Sequence, residues 1–119
     1  MRNARNNSTD LPLDWEQALQ QMNGKESLVL DLLDGFLQSC DDYLAEILRA
    51  LAVGEHERAA EIAHAVKGTA GLLFAFPLAE AASRFERHST NGDSAEARAA
   101  LEKVACEVER LHSFRGDLT

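Results

Sequence analysis

Between residues 25 and 52 runs an unbroken apolar seam. Val29, Leu33, Phe36, Cys40, Tyr43, Ile47 and Leu51 recur in steps of three and four. A helix turns about 100° per residue, so this spacing keeps all of them on one face. At about 1.5 Å per residue the helix would run roughly 40 Å. Leu28, Leu32, Leu37, Leu44 and Leu48 widen the stripe, so more than one neighbour is needed to cover it. Gly54 ends it. The rest of the chain must therefore supply partners for one long amphipathic helix.

The flanking segments have that character. Leu11, Pro12 and Leu13 lead into a short helix that Asp14 can cap, with Gln17 placed to complete a capping box. Trp15, Ala18, Leu19 and Met22 form its apolar side, and Asn23 with Gly24 closes it. A third helix is expected over residues 55–73, with Ile62, Val66, Thr69 and Leu73 as its apolar stripe. Phe74, Ala75 and Phe76 make a short link. Pro77 suits the first position of a fourth helix, whose core face is Leu78, Ala81, Ala82 and Phe85 and which stops near Ser89. Thr90, Asn91 and Gly92 form a loop. Asp93 caps the last helix, with Glu96 three residues on. Its stripe is Ala97, Leu101, Val104, Val108, Leu111 and Arg115, and it ends around residues 114–116.

The spacing predicts no strand. Four amphipathic helices joined by short loops must alternate direction and bury their stripes together. The fold class expected is all-α: an up-down-up-down four-helix bundle over residues 13–115, with the short first helix as a lid and Trp15 over the core. Residues 1–12 read as a flexible N-terminal tail and 116–119 as a C-terminal one.

Composition narrows the function. The net charge is −8, and phosphate backbones are bound by clustered Lys and Arg, so no nucleic-acid partner is expected. Apolar runs are only a few residues long, so no membrane span is expected. Cys40 and Cys106 make no C-x-x-C pair and read as reduced thiols in the cytoplasm.

The residue that carries chemistry is His64. It falls about 160° from the middle of the third helix's stripe, so it faces water. Glu57, Ala60, Glu61, Lys67, Gly68 and Gly71 share that outer face. Gly68 and Gly71 together cost the helix about 2 kcal/mol relative to alanine. No turn is needed there, so the helix gives up stability for bare backbone beside an exposed imidazole. That suits a reactive histidine approached closely by another protein. His56, His88 and His112 read as solvated side chains. A neutral imidazole nitrogen can act as nucleophile, and an exposed histidine is mostly neutral near physiological pH. Nε2, farther from the backbone, is the nitrogen expected to react. Lys67 lies one turn on, where its ammonium can reach an anion held at the ring or pair with Glu61 or Glu57.

His64, Lys67 and Gly68 in the order His-x-x-Lys-Gly, followed by Gly71 and Leu78, resemble the signature of histidine-containing phosphotransfer (HPt) domains of bacterial phosphorelays. Asp14, Trp15, Ala18, Leu19, Asn23, Gly24, Lys25, Leu33 and Phe36 are similar to the opening of HPt modules at the C-terminus of hybrid sensor kinases. The resemblance spans about residues 13–111. It implies a cytoplasmic phosphoryl carrier in a two-component system, monomeric, with His64 phosphorylated and Lys67 as counter-charge. Gly68, Gly71, Ala60, Glu61 and Phe74 would meet the partner. The implied partners are response-regulator receiver domains and a hybrid sensor kinase, with Mg²⁺ supplied by the receiver and no cofactor of the chain's own. The chain has no phosphate-binding glycine loop, so it should not use ATP itself. One departure stands out: many HPt domains have glycine where this chain has Phe74.

Two other readings are open to the same residues. Glu61 with His64, and Glu109 with His112, are both Glu-x-x-His, the ligand spacing of di-iron bundles. Those ligands must face the core, and these face away from it. The alternative within the same fold is a non-catalytic interaction module that docks a receiver or kinase without being phosphorylated.

Overall fold

The first helix is started by a carboxylate and a glutamine. In the computed structural model, which describes residues 11–118, the Asp14 Oδ1 accepts the Gln17 backbone N–H at 3.2 Å. The Gln17 side-chain amide donates to Asp14 Oδ2 at 2.8 Å. Gln17 therefore grips the capping carboxylate, not the cap's backbone. The Asp14 N–H is taken instead by the Phe74 carbonyl at 2.9 Å, which ties α1 (Trp15–Gln21) to a loop sixty residues away in sequence terms only. Asn23 and Gly24 then adopt left-handed φ of 56° and 78° and turn the chain.

Four longer helices follow: α2 (Glu26–Ala52), α3 (His56–Leu72), α4 (Phe76–Asn91) and α5 (Ser94–Asp117). The described residues are all-helical and contain no strand. Helix α2 packs on α3 and α5, and α4 packs on the same two, so the long helices close a ring around one core. Val29, Leu33, Phe36, Cys40 and Ile47 are buried there, with Tyr43 and Leu51 half-buried. The widening of the α2 stripe holds for Leu37 and Leu44 but not for Leu28, Leu32 and Leu48, which are exposed. Helix α1 is only 7 residues long and leaves the flank with Leu28 and Leu32 uncovered.

Helix α3 is rotated relative to the expectation. Its buried residues are Ala59, Ala60, Ile62, Ala63, Val66 and Ala70, while Thr69 is exposed. Alanines let helices approach closely, and counting only the larger side chains displaced the stripe by about 50°. Ala60 is thus core, at 5% exposure, and not part of the outer face.

Phe74 has φ of 61°, the left-handed region where glycine is favoured. A side chain there costs roughly 1–2 kcal/mol of backbone energy. Its ring packs on the core and sits edge-on to Phe76 with centroids 5.9 Å apart, which offsets part of that cost. Helix α4 starts at Phe76, so Pro77 is its second residue, not its first.

Asp93 precedes α5 but makes no side-chain cap; its carboxylate lies 3.6 Å from His88 Nδ1 instead. Helix α5 continues to Asp117. Arg115, expected in the apolar seam, is half-buried and bonds Asp34 of α2 at 2.7 and 3.2 Å. Glu107, which its spacing did not single out, is buried and held by Lys103 at 3.2 Å and Arg110 at 2.8 Å. Of the expected N-terminal tail, residues 1–10 lie outside the described residues. Leu11 is half-buried and Pro12 buried, so those two belong to the packed domain. No helix of the described residues is long and apolar enough to cross a membrane.

Candidate functional site

The middle of α3 is fixed by Ile62, Ala63 and Val66, all buried. That anchorage projects His64 outward, with its side chain 64% exposed. The expected direction of His64 is therefore observed. What holds the ring was not expected. His64 Nδ1 lies 3.0 Å from Glu86 Oε2 on α4. Lys67 Nζ lies 3.5 Å from the other oxygen, Glu86 Oε1. Lys67 thus pairs across the α3–α4 seam and not with Glu61 or Glu57 of its own helix.

Glu86 is half-buried, with its side chain 28% exposed, and follows Phe85, which is fully buried. The core packing of Phe85 places the carboxylate at the lip of the seam. An ionised carboxylate only accepts hydrogen bonds, so the shared hydrogen belongs to Nδ1. A neutral imidazole has one N–H, so Nε2 keeps its lone pair and points away from Glu86. The arrangement leaves a nucleophilic nitrogen at the surface and an ammonium one helical turn away.

Gly68 is exposed and Gly71 half-exposed, and a Cβ at either would meet nothing within 4 Å. Packing does not require either glycine. Their effect is to keep the surface beside His64 low. Glu61 is exposed on the same side. Phe74 is half-buried among core residues, so little of its ring reaches a partner. The exposed apolar side chains nearby are others: Leu72, four residues past Gly68 and 77% exposed, with Leu28 and Leu32 across on α2. Leu32 and Leu72 line one shallow depression with Met22 and Phe74.

The cavity of about 450 Å³ beneath α1 lies elsewhere and does not include His64. Its charges, among them Glu107, Lys103 and Arg110, are already paired. The histidine side chain is open to solvent, where a macromolecular partner can reach it. Both Glu-x-x-His pairs are surface pairs, with Glu61, His64, Glu109 and His112 all exposed, so neither projects ligands into the core. Burial pushes the Cys40 thiol up to about 12, which leaves it a core hydrophobe, while Cys106 is exposed.

Glu86 is the residue in contact with His64 and Lys67 that sequence reasoning missed. It stands 22 positions from His64, and local spacing sees only neighbours on one helix. The available signal was its place beside Phe85 at the edge of α4's core face.

The described residues form an all-helical domain that presents one ring nitrogen of an oriented histidine. The Hpt domain family model matches residues 31–114, well over half of the 119-residue chain, and the chain belongs to that family. Hpt domains carry histidine phosphotransfer in two-component phosphorelays and interact there with receiver domains and kinases. Comparison with curated proteins and with solved structures gives no match.

Proposed function

We propose that the chain is a phosphoryl carrier in which His64 Nε2 accepts the group from a receiver-domain aspartate and passes it to the aspartate of another receiver. Nε2 donates its lone pair to phosphorus, the phosphorus–oxygen bond to the aspartate breaks, and the carboxylate departs with that electron pair. No proton has to leave Nε2, because Glu86 already holds the ring's hydrogen on Nδ1. That bond is the single observation that carries the reading. Lys67 supplies counter-charge to the phosphoryl oxygens. Gly68, Gly71 and Glu61, with Leu72, Leu28 and Leu32 beside them, form the surface the receiver meets.

The family resemblance implies that the Mg²⁺ that favours aspartyl-phosphate chemistry is supplied by the receiver. The ring of contacts among α2, α3, α4 and α5 supports an up-down-up-down bundle with α1 as its lid. The domain so formed would work as a monomer in the cytoplasm, alone or linked to a hybrid sensor kinase.

The test is transfer of labelled phosphoryl from a phosphorylated receiver. The chain should gain acid-labile, base-stable label, and His64→Gln should gain none while keeping its helicity. Complex formation without label in the wild-type chain would establish the interaction-module reading instead.

A further inference from the structure

We propose that Phe74 is a positioning residue for receiver docking, one that acts through α1 by holding that short helix in place as a wall of the depression beside Leu32 and Leu72. This role rests on a receiver meeting the face that bears His64 and Leu72. Phe74 has φ of 61°, in the backbone region that suits glycine.

The end of α3 imposes that conformation. The Phe74 N–H donates to the Gly71 carbonyl at 3.1 Å, and the Ala75 N–H donates to the Ala70 carbonyl at 2.8 Å. These two bonds close the helix in the form that puts one left-handed residue just past the cap, Leu73. Glycine would take that place without strain. A side chain kept there points to what it holds.

Phe74 holds α1 from two directions. Its carbonyl accepts the Asp14 N–H at 2.9 Å, whereas the other backbone hydrogen bonds outside the helices, among the described residues, are local in sequence. Phe74 also borders two hollows. One is the cavity beneath α1, which it shares with Leu11, Asp14 and Gln17. The other is the depression, which it shares with Ala18 and Met22 of the α1 segment and with Leu32 and Leu72. Phe76 braces the ring edge-on, with centroids 5.9 Å apart.

Helix α1 needs such a support. Seven residues are too few for a helix to persist in water by propensity alone. Met22, its C-cap, packs half-buried on the core and forms the α1 side of the depression. When α1 shifts, Met22 moves with it, while Leu32 and Leu72 stay on α2 and α3. The depression then loses its shape with its two leucines still in place. Phe74 thus reaches the receiver through Met22 and not through its own half-buried ring.

Two measurements on the whole chain test this: amide hydrogen exchange, and titration with a receiver domain loaded with beryllofluoride, a stable mimic of its aspartyl phosphate. Phe74→Gly relieves the backbone and removes the ring. It should melt near the wild-type temperature, yet the hydrogen-bonded Asp14, Gln17 and Ala18 amides should exchange about tenfold faster, with α2 to α5 unchanged. Receiver affinity should fall several-fold. Phe74→Tyr keeps the ring and should restore both. Met22→Ala should weaken receiver binding with exchange in α1 unchanged. The two changes together should bind no more weakly than the weaker single variant, because both act on one wall. A merely structural Phe74 would speed exchange in every helix and leave the affinity of the folded chain alone. That result, wild-type exchange in α1, wild-type affinity in Phe74→Gly, or effects of the two changes that add would each overturn the proposal. A wild-type chain that binds the receiver but takes no label would defeat the carrier reading alone, because neither measurement requires transfer.

Discussion

The same local pattern occurs twice in this chain, on α3 and on α5. Glu61, His64, Lys67 and Gly68 repeat as Glu109, His112, Arg115 and Gly116, with identical spacing. Both histidines meet a carboxylate from a neighbouring helix. On α3 the contact is through Nδ1, at 3.0 Å to Glu86, which leaves the outer nitrogen unengaged. On α5 it is through Nε2, at 3.3 Å to Asp41, so the outer nitrogen is the one engaged. The cations differ too. Lys67 shares Glu86 with His64, whereas Arg115 has Asp34 to itself through two bonds, at 2.7 and 3.2 Å. On α5 each cation-seeking group has its own acid, and the set ties α5 to α2. On α3 two such groups divide one acid. The pattern within a helix does not decide between clamp and site; the neighbouring helix does.

The largest contrast is expected from removing the two cations. Lys67→Ala should slow phosphoryl transfer roughly tenfold, because the phospho-form loses its counter-charge. Stability should barely change, since an exposed ion pair is worth at most about 1 kcal/mol. Arg115→Ala should do the opposite: transfer at the wild-type rate from a domain with a lower melting temperature. His112→Gln should likewise leave transfer intact. Rapid-quench transfer and thermal unfolding of the three variants check this. Equal slowing by Lys67→Ala and Arg115→Ala would erase the distinction between the two regions.

Much of this was legible in the sequence because helix period is a local property. The seam from Val29 to Ile47 marks α2, and the outward direction of His64 follows from Ile62 and Val66. Other features depend on which helix lies opposite, and no spacing within a segment records that. Glu86 and the partner of Lys67 are of this kind, as is the Asp34 contact of Arg115. Ala60 was misplaced for a different reason: alanine is apolar enough for a core and small enough to pass unnoticed on a surface. Phe74 is a third case. The departure from glycine was visible, but the left-handed backbone that makes glycine usual there is a property of the α3–α4 turn.

A smaller effect is expected from bulk. A Cβ at Gly68 meets nothing within 4 Å, so Gly68→Gln should fold and should add up to about 1 kcal/mol of helix propensity. If the low surface beside His64 serves the partner, the same change should slow transfer several-fold. Gly68→Ala should lie between the two. Ser113→Gln, which puts the same bulk on the exposed surface beside His112, should leave transfer unchanged. A stabilised Gly68→Gln chain with wild-type transfer would show that the glycine has no part in docking.

The smallest effect concerns the acid limb of the α5 clamp. The hydrogen bond and charge of Arg115 hold the Asp34 carboxyl below its ordinary value of 3.8, against a smaller opposing contribution from desolvation. Asp34 in turn raises Arg115. A carboxyl that is more acidic in the folded state favours folding when the pH is above 3.8, where the unfolded chain also ionises. That contribution fades as the pH drops below 3.8 toward the folded value, because the folded carboxyl is then protonated as well. Asp34→Asn never has it. The gap in denaturation midpoint between wild type and Asp34→Asn should therefore be small and constant from neutral pH down to about 4, then close on further acidification. Added salt should narrow it at neutral pH, since the pair is exposed to solvent. Transfer measured near neutral pH should be the same in both chains. A gap that survives below the folded carboxyl's titration would mean that Asp34 ties α2 to α5 by its shape and hydrogen bonds, without need of its charge.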